Sequence, residues 1–263
     1  MYTLAGIVDE EKGWGIRGDT FQCLNMLQKY GHETWFNLGD KDFATHIYRT
    51  HLLRSGLSLS EATKMLCQKL GLKVRILPMT DCKFETKVVT AVGTIHFQEY
   101  LVKRKAQDEV IDVKFEGMEK ARPAPGVVDL ILDSDAVIIC PSNPIVSIGT
   151  ILSVKGIKNA LEKTEAKVAA ISPIVGGLPV KGPADKLMRG LGLEVSAHAV
   201  ATLYRDFLDV FVIDQVDQAE KERIERLGLH VVVTDTVMKK LEDKVRLARV
   251  TLRSLGMRCP ETT

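Results

Sequence analysis

A chain of 263 residues with 45% hydrophobic content can bury one substantial core, and 36 basic against 34 acidic residues leave a net charge of only +2. That balance, with no dense basic stripe carrying interleaved aromatics, argues against a nucleic-acid partner. The five scattered cysteines, Cys23, Cys67, Cys82, Cys140 and Cys259, form no CxxC pair, and no uncharged apolar run approaches the roughly 18 residues that cross a bilayer, so the expectation is a soluble cytoplasmic protein without disulfides or a membrane anchor.

The first third reads as helical. Asp19 is expected to cap a helix reaching about Tyr30, residues 42–54 carry a second helix with Asp42 as a cap, and Ser58 with Glu61 makes a capping box for a third over 62–70. Trp14 and Trp35 are expected in the core. Strands follow. Val74 to Leu77 is a short apolar run ended by Pro78, while residues 87–90 and 94–102 flank Ala91-Val92-Gly93 as an antiparallel pair. With 110–115 they make a β insertion within 79–122, whose basic Lys103-Arg104-Lys105 reads as a solvated hairpin end and whose His96 reads as structural.

From Pro123 the pattern is regular alternation. Helices are expected at 126–132, 156–163, 184–190, 198–206, 218–226 and from 236 onward, with strands at 136–140, 168–171, 210–213 and 230–233. This predicts an α/β chain: a Rossmann-like, doubly wound, mainly parallel sheet with an inserted antiparallel β element and a helical N-terminal part, all in one domain over 1–263.

Two loops follow strands of that sheet, Pro141-Ser142-Asn143-Pro144-Ile145-Val146-Ser147-Ile148-Gly149 and Ser172-Pro173-Ile174-Val175-Gly176-Gly177 running on to Lys181-Gly182-Pro183-Ala184-Asp185. Loops beyond the carboxyl ends of parallel strands offer backbone N–H groups to anions, so a phosphate-bearing ligand is expected there. Ser142 and Asn143 can donate to phosphate, and Ser147 with Gly149 supplies flexible backbone. Gly176-Gly177 permits close approach, and Lys181 neutralises a phosphate as a point charge. Asp185 reads equally as a Mg²⁺ partner through water or as an acid favouring a helix N-terminus. A third cluster, Asn37-Leu38-Gly39-Asp40-Lys41-Asp42, is followed by His46 and Arg49 on one helix face. Tyr204 to Asp209 reads as structural.

The set Leu38-Gly39-Asp40-Lys41-Asp42, Pro141-Ser142-Asn143-Pro144 with Ser147-Ile148-Gly149, Ser172-Pro173-Ile174 with Lys181-Gly182-Pro183-Ala184-Asp185-Lys186-Leu187-Met188, and Asp206-Phe207-Leu208-Asp209-Val210-Phe211 closely resembles the CofD family, the 2-phospho-L-lactate transferases of coenzyme F420 biosynthesis. The likeness covers nearly the whole chain. It implies transfer of a lactyl-phosphoryl group from lactyl-2-diphospho-5'-guanosine to 7,8-didemethyl-8-hydroxy-5-deazariboflavin, giving F420-0 and GMP, with Mg²⁺ and a homodimer. Asp40 and Lys41 would then lie on the deazaflavin side, and Ser142, Asn143, Ser147, Gly149, Gly176, Gly177 and Lys181 on the guanylyl diphosphate side. Phosphoryl transfer of this kind rests on alignment and charge stabilisation, which suits a chain without a Ser-His-Asp or Cys-His set. Family members carry a first strand and a Gly-Gly-Thr-Gly phosphate loop ahead of the position matching Met1. The expectation is therefore an N-terminally truncated member that need not be active itself. The competing expectation is a non-catalytic nucleotide-sugar-binding regulatory protein of the same superfamily, against which the Gly39 to Asp42 segment favours the transferase.

Overall fold

Three helices open the computed structural model, which describes residues 1–258 and so leaves Cys259 outside: α1 (Gln22–Lys29), α2 (Asp40–Arg54) and α3 (Leu59–Lys69). α3 begins as its sequence requires. Ser58 Oγ accepts from the Glu61 N–H at 3.2 Å, and the Glu61 carboxylate accepts from the Ser58 N–H at 2.7 Å. The first two helices depart from expectation. Asp19 does not cap α1; its carboxylate accepts from the N–H groups of Lys41 at 2.8 Å and Asp42 at 3.2 Å, at the start of α2. Asp40 in turn accepts from the N–H groups of Gln22 at 3.0 Å and Cys23 at 2.9 Å, at the start of α1. Each helix thus satisfies the other's free first-turn donors.

The expected Asp42 cap is replaced by Gly39, and Asp42 sits within the first turn, where the Tyr2 hydroxyl donates to it at 2.6 Å. Burial, followed by that bond, pushes the Tyr2 hydroxyl up to about 12. Little apolar surface is covered here. α1 buries no residue and α2 buries only Leu52; Trp14 and Trp35, expected in the core, are 49% and 36% exposed. Hydrogen bonds at the helix starts, more than an apolar interior, hold this part together.

Residues 74–77 lead to Pro78 without regular structure and join no sheet among the described residues, so the expected strand is absent there. A ladder needs a partner, and the next strands pair among themselves: β1 (Glu85–Thr90), β2 (Gly93–His96) and β3 (Val110–Glu116) form an antiparallel sheet in the order β2-β1-β3. The strand expected to reach residue 102 stops at His96. There His96 Nδ1 accepts from the Gln98 N–H at 3.1 Å, and the chain turns into a π-helix, Glu99–Lys103, that buries Tyr100. Lys103 and Lys105 are exposed as expected, but they stand at the end of a π-helix and not of a hairpin, and Lys103 pairs with Glu33 at 2.9 Å while Arg104 pairs with Asp108 at 2.5 Å.

The rest alternates: α4 (Val127–Leu132), β4 (Ala136–Ile139), a helical turn Pro144–Gly149 leading into α5 (Thr150–Leu152), α6 (Ile157–Lys163), β5 (Lys167–Ile171), the small hairpin β6 (Ile174–Val175) and β7 (Leu178–Pro179), α7 (Ala184–Gly190) and α8 (Ala197–Tyr204). It closes with β8 (Val210–Asp214), a 3-10 turn Gln215–Glu220, α9 (Lys221–Glu225), β9 (His230–Thr234) and α10 (Leu241–Ser254). β4, β5, β8 and β9 form a parallel sheet in that order. β8 is buried throughout and reads as a continuous apolar run ending in an acid, as a strand covered on both faces should.

The two sheets share one interior. A single apolar cluster contains Val88, Tyr100 and Val110 of the antiparallel region together with Val168, Leu187 and Phe211 of the parallel one. α7 makes the join: its final residue, Gly190, lies so close to β3 that an added Cβ would come within 2.3 Å of the Val110 carbonyl oxygen. Lys186 on the same helix donates to the Ala106 carbonyl. Among the described residues no helix is long and apolar enough to cross a membrane.

Candidate anion-binding site

Parallel strands deliver all their carboxyl ends to one side of the sheet, which is where an open α/β fold binds ligands. At that side lies a crevice of about 210 Å³. Pro141 and Asn143 enter it from the end of β4, Ser172, Pro173, Val180 and Lys181 from the connection after β5, and Thr236 and Met238 from beyond β9. Ala184, at the first turn of α7, completes the wall. The two loops singled out in the sequence therefore meet.

Asn143 is set by its own helix. Its Oδ1 accepts from the N–H groups of Ile145 at 2.9 Å and Val146 at 3.2 Å, capping the Pro144–Gly149 turn, with Pro144 at the position where a missing N–H costs nothing. The carbonyl side is thus used internally. The Nδ2 donors have no acceptor among the described residues and are available to a ligand.

The backbone from Ser147 to Gly149, expected to be flexible, is helical instead. Gly149 has an ordinary helical φ of −57°, and its requirement is space: a Cβ would lie 2.7 Å from the Pro144 carbonyl oxygen. Ser142 closes a tight turn by donating its N–H to the Cys140 carbonyl at 2.7 Å. Ser142, Ser147 and Gly149 shape the loop without lining the crevice.

On the β5 side, the buried Ser172 donates its hydroxyl to the Ile174 carbonyl at 2.8 Å and accepts from the Ile174 N–H at 3.2 Å. Gly176 and Gly177, with φ of +59° and +75°, form the hairpin tip, a conformation for which glycine is the natural occupant. They do not border the crevice. They turn the chain back so that Val180 and Lys181 do, and the Lys181 ammonium has no hydrogen-bond or ion-pair partner among the described residues.

Two carboxylates missed in the sequence stand behind this hairpin. Asp217 accepts from the Gly176 N–H at 2.9 and 3.1 Å, and burial pushes its carboxyl above the ordinary range. Asp214 accepts from the Thr236 N–H at 2.7 Å and hydroxyl at 3.0 Å. The available signal was the pair of acids spaced three apart directly after the apolar strand Val210-Phe211-Val212-Ile213.

Other expected site residues lie apart. Asp40 is engaged as the α1 cap, where the Thr20 hydroxyl and two N–H groups hold its carboxyl below the ordinary range, and Lys41 donates to the carbonyls of Arg17 at 2.9 Å and Gly18 at 3.0 Å. Neither lines the crevice. Asp185 pairs with Arg189 at 2.9 Å, and among the described residues no group of three His, Cys, Asp or Glu side chains could hold a metal.

A larger cavity, about 640 Å³, is elsewhere, between α3 and residues 72–77. Leu72, Val74, Ile76, Leu77 and Pro125 make much of its wall, while Ser58 and Glu61 are occupied in the capping box and Ser60 with Asp81. Lys64 and Arg75 also border this cavity and pair with no group among the described residues, so charge alone does not separate the two cavities; the smaller crevice is preferred for a phosphate because it lies at the strand carboxyl ends, where the Lys181 ammonium meets the Asn143 amide.

The profile of the family described as 2-phospho-L-lactate transferase CofD matches residues 2–252. A 2-phospho-L-lactate transferase of Methanosarcina mazei is 40% identical over 254 residues, covering 97% of this chain and 83% of that protein. A phosphoenolpyruvate transferase of Streptomyces griseus is 43% identical over 258 residues, covering 96% and 81%. A crystal structure of a Bacillus halodurans protein, described as a member of the upf0052 family, aligns with a TM-score of 0.53 at 13% identity, over 78% of this chain and 70% of that one. A second structure from the same organism gives 0.59 at 12% identity, over 95% and 81%. At that identity the likeness bears on the fold alone, and the α/β architecture is the same.

Proposed function

We propose that this chain, which belongs to the 2-phospho-L-lactate transferase CofD family, takes a guanylyl diphosphate donor in the crevice at the strand ends and transfers its distal phosphoryl group, with the attached three-carbon acid, to a deazaflavin in coenzyme F420 biosynthesis. The observation that carries this reading is the convergence of Asn143 and Lys181 on one crevice from two separate loops. The proposed donor is lactyl-2-diphospho-5'-guanosine and the acceptor 7,8-didemethyl-8-hydroxy-5-deazariboflavin.

The terminal ribityl hydroxyl oxygen forms a bond to the distal phosphorus, the bond from that phosphorus to the bridging oxygen breaks, and GMP leaves with the bridging oxygen. The hydroxyl proton passes to solvent, and the product is F420-0. Lys181 supplies a fixed positive charge and the Asn143 amide supplies donors to phosphoryl oxygens whose charge grows during the transfer. The buried Ser172 and the hairpin hold the Lys181 strand in place, so alignment is built in before the donor binds.

The deazaflavin side is assigned to the N-terminal helices. Because Asp40 and Lys41 are engaged in capping and backbone contacts, their role is to fix that wall. Mg²⁺ enters the proposal as a companion of the donor diphosphate, since this ion keeps several waters and takes substrate phosphates with few carboxylates. No step is assigned to Asp185. A homodimer is proposed through the exposed face of α2, where Ile47, 56% exposed, and Phe43 border an open hollow together with His46, Thr50, His51 and Arg54; sedimentation of a monomer would remove that element.

The test is incubation of the chain with deazaflavin, Mg²⁺ and the guanylyl donor, with GMP release as the readout. Release with lactyl donor supports the proposal, and preference for the enolpyruvyl donor would move it to the chemistry named for the Streptomyces griseus relative. No turnover, combined with binding of a UDP-sugar, would replace it with the regulatory reading.

A further inference from the structure

We propose that Asp217, with Asp214 beside it, is a positioning residue that sets the spacing between the two walls of the crevice; this rests on the reading of the crevice as the guanylyl diphosphate site. Asp214 ends β8 and caps the 3-10 turn on which Asp217 lies, and both are nearly inaccessible, at 3% exposure for Asp214 and 6% for Asp217. A buried carboxylate normally finds a cation. Neither of these forms an ion pair among the described residues, and their donors are main-chain N–H groups and one hydroxyl. Their placement makes sense as support for backbone.

The supported pieces are specific. Asp217 directs both oxygens at the Gly176 N–H, at the tip of the hairpin whose outgoing strand, Leu178–Pro179, leads directly to Val180 and Lys181. Asp214 holds Thr236, which stands in the crevice wall beyond β9. The end of β8 and the turn it leads into therefore brace both walls, Asp214 the Thr236 wall and Asp217 the Lys181 wall. Gly176 and Gly177, at positive φ, are the flexible positions in this linkage, so without the Asp217 strut the hairpin has freedom to swing Lys181 away from the crevice.

The experiment compares wild type, Asp217→Ala and Asp217→Asn in the full chain, using GDP affinity by calorimetry, hydrogen exchange at the Gly176 amide, and steady-state kinetics with the guanylyl donor. For Asp217→Ala the expected result is faster Gly176 exchange, about tenfold weaker GDP binding and a donor KM raised about as much, with kcat within about threefold. Asp217→Asn keeps a carbonyl oxygen in place and is expected to restore most of both losses. Unchanged GDP affinity in Asp217→Ala, or no rescue by Asp217→Asn, overturns the proposal. Should Asp217→Ala not fold, Asp217→Glu displaces the acceptor by one methylene and is expected to weaken GDP similarly; wild-type affinity there overturns it. If wild type binds GDP but releases no GMP from the donor, the transferase reading falls, while affinity and exchange still decide the role of Asp217. If wild type binds no GDP, both fall.

Discussion

Asp19 and Asp40 cap each other's helices: Asp19 accepts from the first turn of the helix that Asp40 begins, and Asp40 accepts from the first turn of the helix that follows Asp19. Gly39 is the one buried position among residues 1–50, and an added Cβ there would fall 2.1 Å from Asp19 Oδ2. The joint therefore has room for a cap or a methyl group, but not both.

Asp19→Ala should cost about 1 kcal/mol of stability, the usual loss of an N-cap. Gly39→Ala should cost a similar amount, because it displaces the same carboxylate. In urea denaturation the double variant should be no worse than about either single one. Additive losses would show that Gly39 matters for another reason.

Lys181→Ala and Asn143→Ala should each raise the donor KM by about tenfold or more, through loss of a charge-assisted contact to phosphate. Lys181→Arg should retain most of the affinity, since the charge remains. Donor kinetics identical to wild type for both alanine variants would remove the crevice from the reaction.

Asp217→Asn should change stability in a pH-dependent way. Burial raises the Asp217 carboxyl above its ordinary value of 3.8, so the folded state favours the protonated form. The stability contributed by this group is complete below the ordinary value and is lost as pH climbs through the raised one. The asparagine variant has no such loss. Its stability relative to wild type should therefore increase from acid toward neutral pH; in urea titrations at about pH 4 and pH 7, a constant difference would contradict the burial argument.

Gly149→Ala tests close packing under the Asn143 loop. Backbone conformation does not forbid alanine, so the cost comes from the contact with the Pro144 carbonyl and should be about 1–3 kcal/mol. Because the turn it disturbs is the one Asn143 caps, GDP affinity should fall with it. A stable variant with unchanged affinity would show that the turn can yield.

Tyr204→Phe should stabilise the chain. The Tyr204 hydroxyl is buried without a hydrogen-bond partner, and burial alone pushes its ionisation upward. Removing an unsatisfied donor should be worth about 1 kcal/mol. A loss of stability in thermal unfolding would mean that the hydroxyl has a buried partner.

Local signals in the sequence were read well, and distant ones were not. The Ser58 and Glu61 capping box spans one helical turn, and the apolar runs of β4, β5, β8 and β9 declare themselves without reference to partners. By contrast, Asp19 is a good cap for whatever N–H groups reach it, and only the folded chain decides that these belong to α2, more than twenty residues away. Val74 to Leu77 has strand composition, but pairing depends on a neighbour. The stretch after His96 was apolar enough for a strand, yet it coils so that Tyr100 can be buried.

The site shows the same division. Asn143 and Lys181 were visible because they sit in loops after apolar strands. Thr236 and Met238 reach the crevice from the far end of β9 and carry no motif, although the rule that ligands gather at strand carboxyl ends would have included them. The Gly176-Gly177 pair between Ile174-Val175 and Leu178-Pro179 was a legible hairpin signal. As a turn, the pair calls for a buried acceptor at its tip, the place Asp217 takes.

The close seating of Gly190 against Val110 ties the helix that follows Lys181 to the antiparallel sheet. Heat that loosens β3 would therefore be felt at the crevice while the parallel sheet is still intact. Ligand capacity should then disappear at a lower temperature than the bulk of the secondary structure, and a bound guanosine nucleotide should slow exchange in a sheet it never touches.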